Sequence, residues 1–155
     1  MDDHGPDIPT ITIQTGRRYF PTFADLVDRM SIVQLKMIFI PENRDAYARE
    51  RADIQHDINL LLDQRAPVVG KDFAKMLHAV QVIMLANRYI WENEAKARLG
   101  SDEQNHLLRA THAINGVRAR AKNVLAAEMG ERVDLKVDCL AADLPAELGN
   151  WRIWE

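Results

Sequence analysis

Residues 73–98 read FAKMLHAVQVIMLANRYIWENEAKAR, and the order of apolar and polar groups in that run decides the fold. Phe73, Met76, Leu77, Val80, Ile83 and Met84 recur at three- and four-residue steps, the period of an α-helix with one face in a core. The spacing predicts a helix from about Asp72 to Arg98. Its stripe then continues into Asn87, Trp91, Glu94 and Arg98, which step by four, three and four and so extend the core side. Burying an amide, a carboxylate and a guanidinium costs several kcal/mol, on the order of 2–7 for a neutral group alone, unless each is paired or bound to something. A core that turns polar for three turns is exposed there, internally satisfied, or built around a ligand.

The rest of the chain carries the same period. Pro21-Thr22 opens a helix on which Phe23, Leu26, Met30, Val33, Met37 and Ile40 make one wide stripe, and Pro41 stops it. Leu35, Ile38 and Phe39 are apolar off that stripe, so this helix is expected to be central or to contact a second copy of the chain. A second helix from about Asp45 to Gln64 carries Tyr47, Ile54, Ile58, Leu61 and Leu62 on its inner face, and Ala66-Pro67-Val68-Val69-Gly70 breaks it. Ser101-Asp102-Glu103-Gln104 reads as a capping box for a fourth helix ending near Gly130. Short connections make sequential helices antiparallel neighbours. Asp7–Ile13 and the alternating Val133, Leu135 and Val137 read as short extended segments, and Trp151 and Trp154 as a clasp in a C-terminal arm. The expected architecture is all-α: one antiparallel four-helix, bundle-like domain over 1–155, with arms at 1–20 and 131–155 flanking helices at 21–130.

Composition bounds the function. The chain has 155 residues and a formal net charge of -3, with 20 Lys+Arg against 23 Asp+Glu, which weighs against a phosphate-neutralising nucleic-acid binder. The single cysteine, Cys139, excludes an internal disulfide framework and any multi-cysteine metal centre. No apolar run approaches the roughly 20 residues of a membrane span, and the opening MDDHGPDIPT has no basic-then-apolar leader pattern. A soluble cytoplasmic protein without nucleic-acid or membrane partners is expected.

Three helices carry polar groups of mixed sign on inward sides. Asp25, Asp28 and Lys36 share a side of helix one with Ile32. Asn87, Trp91, Glu94 and Arg98 extend the stripe of helix three, and Asn115, Arg118 and Lys122 step along helix four, Arg118 falling among Leu107, Ile114 and Leu125. One reading is a structural ion-pair network or a polar subunit interface. The other is a pocket in which Arg98, Arg118 and Lys122 hold a phosphate or carboxylate while Asn87, Asp25, Asp28 and Glu94 address hydroxyls or a divalent metal.

These clusters resemble the signatures of a bacterial domain-of-unknown-function family of small helical proteins. Asp25-Leu26-Val27-Asp28-Arg29-Met30-Ser31-Ile32-Val33-Gln34-Leu35-Lys36 is similar to that family's opening, acid-Leu-Ile-Asp-Lys-x-Thr-Ile-Leu-x-Ile-Lys. Asn87-Arg88-Tyr89-Ile90-Trp91-Glu92-Asn93-Glu94, closed by Arg98, resembles its Asn-x-x-Leu-Trp-Glu-x-Glu-Asp signature. Asn115-Gly116-Val117-Arg118 with Lys122 resembles Asn-Asp-x-Arg-x-x-x-Lys. Order and spacing hold from helix one through helix four, while the end arms are not covered. Ala95 and Gly116 stand where that family tends to have Asp. Members often lie beside glycosyltransferase or surface-sugar genes, so the resemblance implies a polar site and a place in sugar or nucleotide-sugar metabolism.

Two metal constellations compete with the pocket. Asp25-x-x-Asp28 with Glu50-x-x-Asp53 resembles the acid pattern of magnesium-dependent all-α nucleotide pyrophosphohydrolases. That chemistry needs about four converging carboxylates, and an antiparallel hairpin would leave Glu50 roughly 9 Å from register at 1.5 Å per residue. Asp53-x-x-His56 and Glu103-x-x-His106 have di-iron bundle spacing, but Glu103 has a capping role and His56 lies at another level. The favoured expectation is a homodimeric helical protein binding a small anionic, hydroxyl-bearing molecule, its alternatives a non-catalytic scaffold and a pyrophosphohydrolase.

Overall fold

The computed structural model describes residues 20–64, 72–98 and 104–133. Four α-helices account for nearly all of them: α1 (Phe23–Phe39), α2 (Arg44–Asp63), α3 (Phe73–Arg98) and α4 (Gln104–Glu128), with a short 3₁₀ turn at Pro41–Asn43 between α1 and α2. No strand is present among the described residues. The fold is all-α and bundle-like. The extended segment expected at Asp7–Ile13, the one expected through Val133, Leu135 and Val137 apart from Val133 itself, the capping box from Ser101 and the Trp151/Trp154 clasp lie outside the described residues.

Each boundary has a local cause. Thr22 caps α1: its hydroxyl accepts from the Asp25 N–H at 3.0 Å, and the Asp25 carboxylate accepts from the Thr22 N–H at 3.1 Å. Pro41 lacks the N–H that another helical turn would need, so α1 ends at Phe39. Asp72 caps α3 by accepting from the Lys75 N–H at 2.9 Å. Beyond α4 the chain turns at Gly130, whose φ of 65° suits a residue without a Cβ. The Glu131 N–H there donates to the Ala126 carbonyl and the Gly130 N–H to that of Ala127, a Schellman arrangement.

Two apolar clusters hold the helices together. The larger lies chiefly between α3 and α4 and takes in Ala24 and Val27 of α1; the smaller joins Leu26 and Val33 of α1 to Ile54 of α2. α1 is therefore central, covered by α2 on one side and by α3 and α4 on the other, although Ile38 and Phe39 at its end stay exposed. Residue numbers rise along α3 as they fall along α4: Lys75 meets Glu128 and Asn87 meets Arg118.

The buried side of α3 differs from the expected stripe. Met76, Ala79, Ile83, Ala86, Ile90 and Asn93 are buried, a run of alternating three- and four-residue steps. On α4, Ala110, Ile114, Val117, Ala121 and Leu125 are buried with similar steps. That 3.5-residue repeat is the seam of two helices packed along their length, and the many alanines let the axes approach. Phe73, Leu77 and Met84, expected inside, are 61%, 51% and 49% exposed. Large apolar side chains displaced the expected stripe by about one position; the seam follows small ones.

Candidate functional site

The polar cluster forms where α1, α3 and α4 meet. Asp28 (α1) and Asn87 (α3) are both buried. The Asn87 amide nitrogen donates to Asp28 Oδ1 at 2.7 Å and to Ser31 Oγ at 2.6 Å. Ser31 in turn donates to the Asp28 backbone carbonyl at 2.8 Å. From α4, Arg118 donates to the Asn87 carbonyl oxygen at 3.0 Å. The amide orientation follows from its neighbours, its NH₂ turned to a carboxylate and its oxygen to a guanidinium.

One turn further along α4, Lys122 joins the two acids of α1. Its Nζ lies 2.8 Å from Asp25 Oδ1 and 3.4 Å from Asp28 Oδ2. A continuous chain of contacts runs from Arg118 through Asn87 and Asp28 to Lys122 and Asp25, balancing two cations against two carboxylates. Burial alone would push the Asp25 carboxyl up, but hydrogen bonds from Lys122 and Thr22 outweigh it and hold its pKa below the ordinary value of 3.8.

Three members of this chain of contacts, Asp25, Arg118 and Lys122, line a cleft between α1 and α4. A cavity of about 500 Å³ is lined by the N-cap Thr22, by Ala24 and Asp25 of α1, by Arg118, Ala119, Lys122, Asn123 and Ala126 of α4, and by Arg132 and Val133 beyond it. Three cationic side chains, Arg118, Lys122 and Arg132, and one carboxylate, Asp25, thus line the same space. The volume lies within the roughly 300–1,000 Å³ range of small-molecule sites. Such a cleft can take an anion against its basic wall, while the Thr22 hydroxyl and the Asn123 amide supply neutral hydrogen-bonding groups.

The ten residues singled out in the sequence therefore divide. Asp25, Asp28, Asn87, Arg118 and Lys122 are brought together. Glu94 and Arg98 pair with each other at 3.5 Å on an exposed face, 55% and 80% exposed, away from the cavity lining. Trp91 packs against Phe39, ring centroids 6.0 Å apart, with Arg88 4.3 Å over the Phe39 ring. Lys36 lies over the Tyr47 ring at 5.5 Å, toward α2. Asn115 is half-buried on α4 and does not line the cavity. The cause is the 3.5-residue seam: Asn93 occupies the buried position that the longer stripe gave to Glu94.

Ser31, Thr22, Asn123 and Arg132 belong to the site without having been singled out. Ser31 had a legible signal, three residues after Asp28 on the same helix side. Arg132 had none, because only the turn at Gly130 brings it back. Of the acids in the magnesium pattern, Asp28 is bound to Asn87 and close to Lys122, Glu50 pairs with Arg29 at 2.9 Å, and Asp53 is exposed. Among the described residues, no group of three His, Cys, Asp or Glu side chains converges to hold a metal ion, and no helix is long and apolar enough to cross a membrane. No protein-family model, curated protein or solved structure matches the chain.

Proposed function

We propose that the chain binds a small anionic, hydroxyl-bearing molecule, of the nucleotide, nucleotide-sugar or sugar-phosphate class, in the cleft between α1 and α4. One observation carries the reading: Arg118, Lys122 and Arg132 line a single cavity together with Asp25, in a chain whose net charge is -3. Concentrating positive charge in a concavity of an acidic protein favours a phosphate or carboxylate. The family resemblance through Asp25, Asp28, Asn87, Arg118 and Lys122 leans toward a sugar-bearing ligand. The buried Asp28–Asn87 pair beneath is the positioning layer, holding Arg118 and Lys122 in place before the ligand arrives.

A thermal-shift panel of nucleotides, nucleotide sugars, sugar phosphates and divalent metals tests this. A ligand that binds the folded chain is expected to raise the apparent Tm with concentration, by linkage, and Arg118→Ala is expected to lose that response. A panel without any responding phosphate or carboxylate would defeat the reading. A second reading is a non-catalytic homodimeric scaffold whose ion pairs are structural, favoured by the exposed Ile38 and Phe39 at the end of α1. It is distinguished by sedimentation: self-association lost in Ile38→Ser, with no ligand response, would support it.

A further inference from the structure

Glutamates at and just beyond the end of α4 engage the N-termini of α3 and α1. Glu128 accepts from the Asp72 N–H at 3.3 Å and pairs with Lys75 at 2.9 Å, tying down the start of α3. Three residues on, past the turn at Gly130, both Glu131 carboxylate oxygens lie 2.9 Å from the Phe23 N–H at the start of α1. The first N–H groups of a helix have no partner within it, and the macrodipole there favours negative charge. Glu131 is therefore held at α1 by a charge-assisted hydrogen bond joining residues 108 apart. The next two residues, Arg132 and Val133, are cavity-lining residues.

We infer that Glu131 is a positioning residue for the cleft: by latching the Gly130–Val133 turn onto the N-terminus of α1, it sets Arg132 as the third cation of the site. The inference rests on the proposed anion-binding reading for its consequence, and on the latch geometry for its cause. Arg118 and Lys122 are fixed by their polar contacts and α4 itself. Arg132 lies beyond the helix, and the turn that carries it is joined to α1 through Glu131. Ligand affinity and the capping of α1 thereby become one linked property.

Nuclear magnetic resonance of the full chain tests the two parts separately. In Glu131→Ala, the Phe23 amide is expected to exchange faster and the Arg132 side-chain resonance to narrow toward that of a mobile arginine, with the helical spectrum retained. Inorganic phosphate, used as the probe, should bind about tenfold more weakly. Glu131→Gln, which keeps one acceptor oxygen for the Phe23 N–H, should recover part of both effects. In an Arg132→Ala background, Glu131→Ala should cost phosphate affinity nothing more, an outcome that a general structural role would not produce. Unchanged Phe23 exchange and Arg132 mobility in Glu131→Ala would overturn the latch, as would additive losses in the double variant. If the native chain bound no phosphate while Arg132 order still depended on Glu131, the latch would stand and the anion-binding reading would fall.

Discussion

Asn87 joins the three helices of the site through one amide, its nitrogen serving Asp28 and Ser31 and its oxygen serving Arg118. Removing one member of a buried charged network leaves the others desolvated and unpaired, which costs more than the hydrogen bonds contributed. Asn87→Ala is accordingly expected to destabilise the fold by about 2–4 kcal/mol in urea unfolding. Arg118→Ala, at the half-buried end of the chain of contacts, should cost less and act mainly on ligand affinity. Asp25 yields a pH signature. Its folded-state pKa is depressed, so the unfolded state binds its proton first as pH falls. The stabilisation is fully present above the ordinary carboxylate range and disappears as pH drops through about 4 toward the lower folded value. The stability difference between the native chain and Asp25→Asn should therefore narrow on acidification over that window. A difference that widened there would contradict the assignment.

At the level of helices, the seam between α3 and α4 follows small side chains. Ala86 is wholly buried there, whereas Phe73 on the same helix is largely exposed. Ala86→Leu should overpack the seam and cost about 1–3 kcal/mol, while Phe73→Ser should stay within about 0.5 kcal/mol of the native chain. The reverse order in thermal unfolding would restore the stripe read from the large residues. Gly130→Ala isolates a backbone effect, because a Cβ at that position meets no atom within 4 Å. The positive φ alone should cost about 1 kcal/mol. These cases show how far the sequence reached. The start of α1 at Pro21-Thr22 and its stop at Pro41 were readable because such signals act over one helical turn. The seam was not, because a 3.5-residue repeat and a longer one diverge only slowly, and both pass Met76 and Ile83.

For the whole molecule, an all-α fold was legible from periodicity, and half of the site was legible with it. Asp25, Asp28, Asn87, Arg118 and Lys122 are polar residues on otherwise apolar helix sides, and a buried charge needs a partner wherever it lies. Glu94, Arg98 and Trp91 followed the stripe instead of the seam and fall on other surfaces. The Arg132 contribution depended on a chain reversal and on a contact with α1 distant in sequence. The result is a bundle whose central helix, α1, packs apolar residues on α2 and both apolar and polar ones on α3 and α4. The most direct measurement is a chemical-shift titration of the isotope-labelled chain with whichever phosphate-bearing compound raises its melting temperature most. We expect the largest changes at Thr22, Arg118, Lys122, Asn123 and Arg132. Changes centred on Glu94 and Arg98, or scattered without a focus, would contradict a binding cleft between α1 and α4.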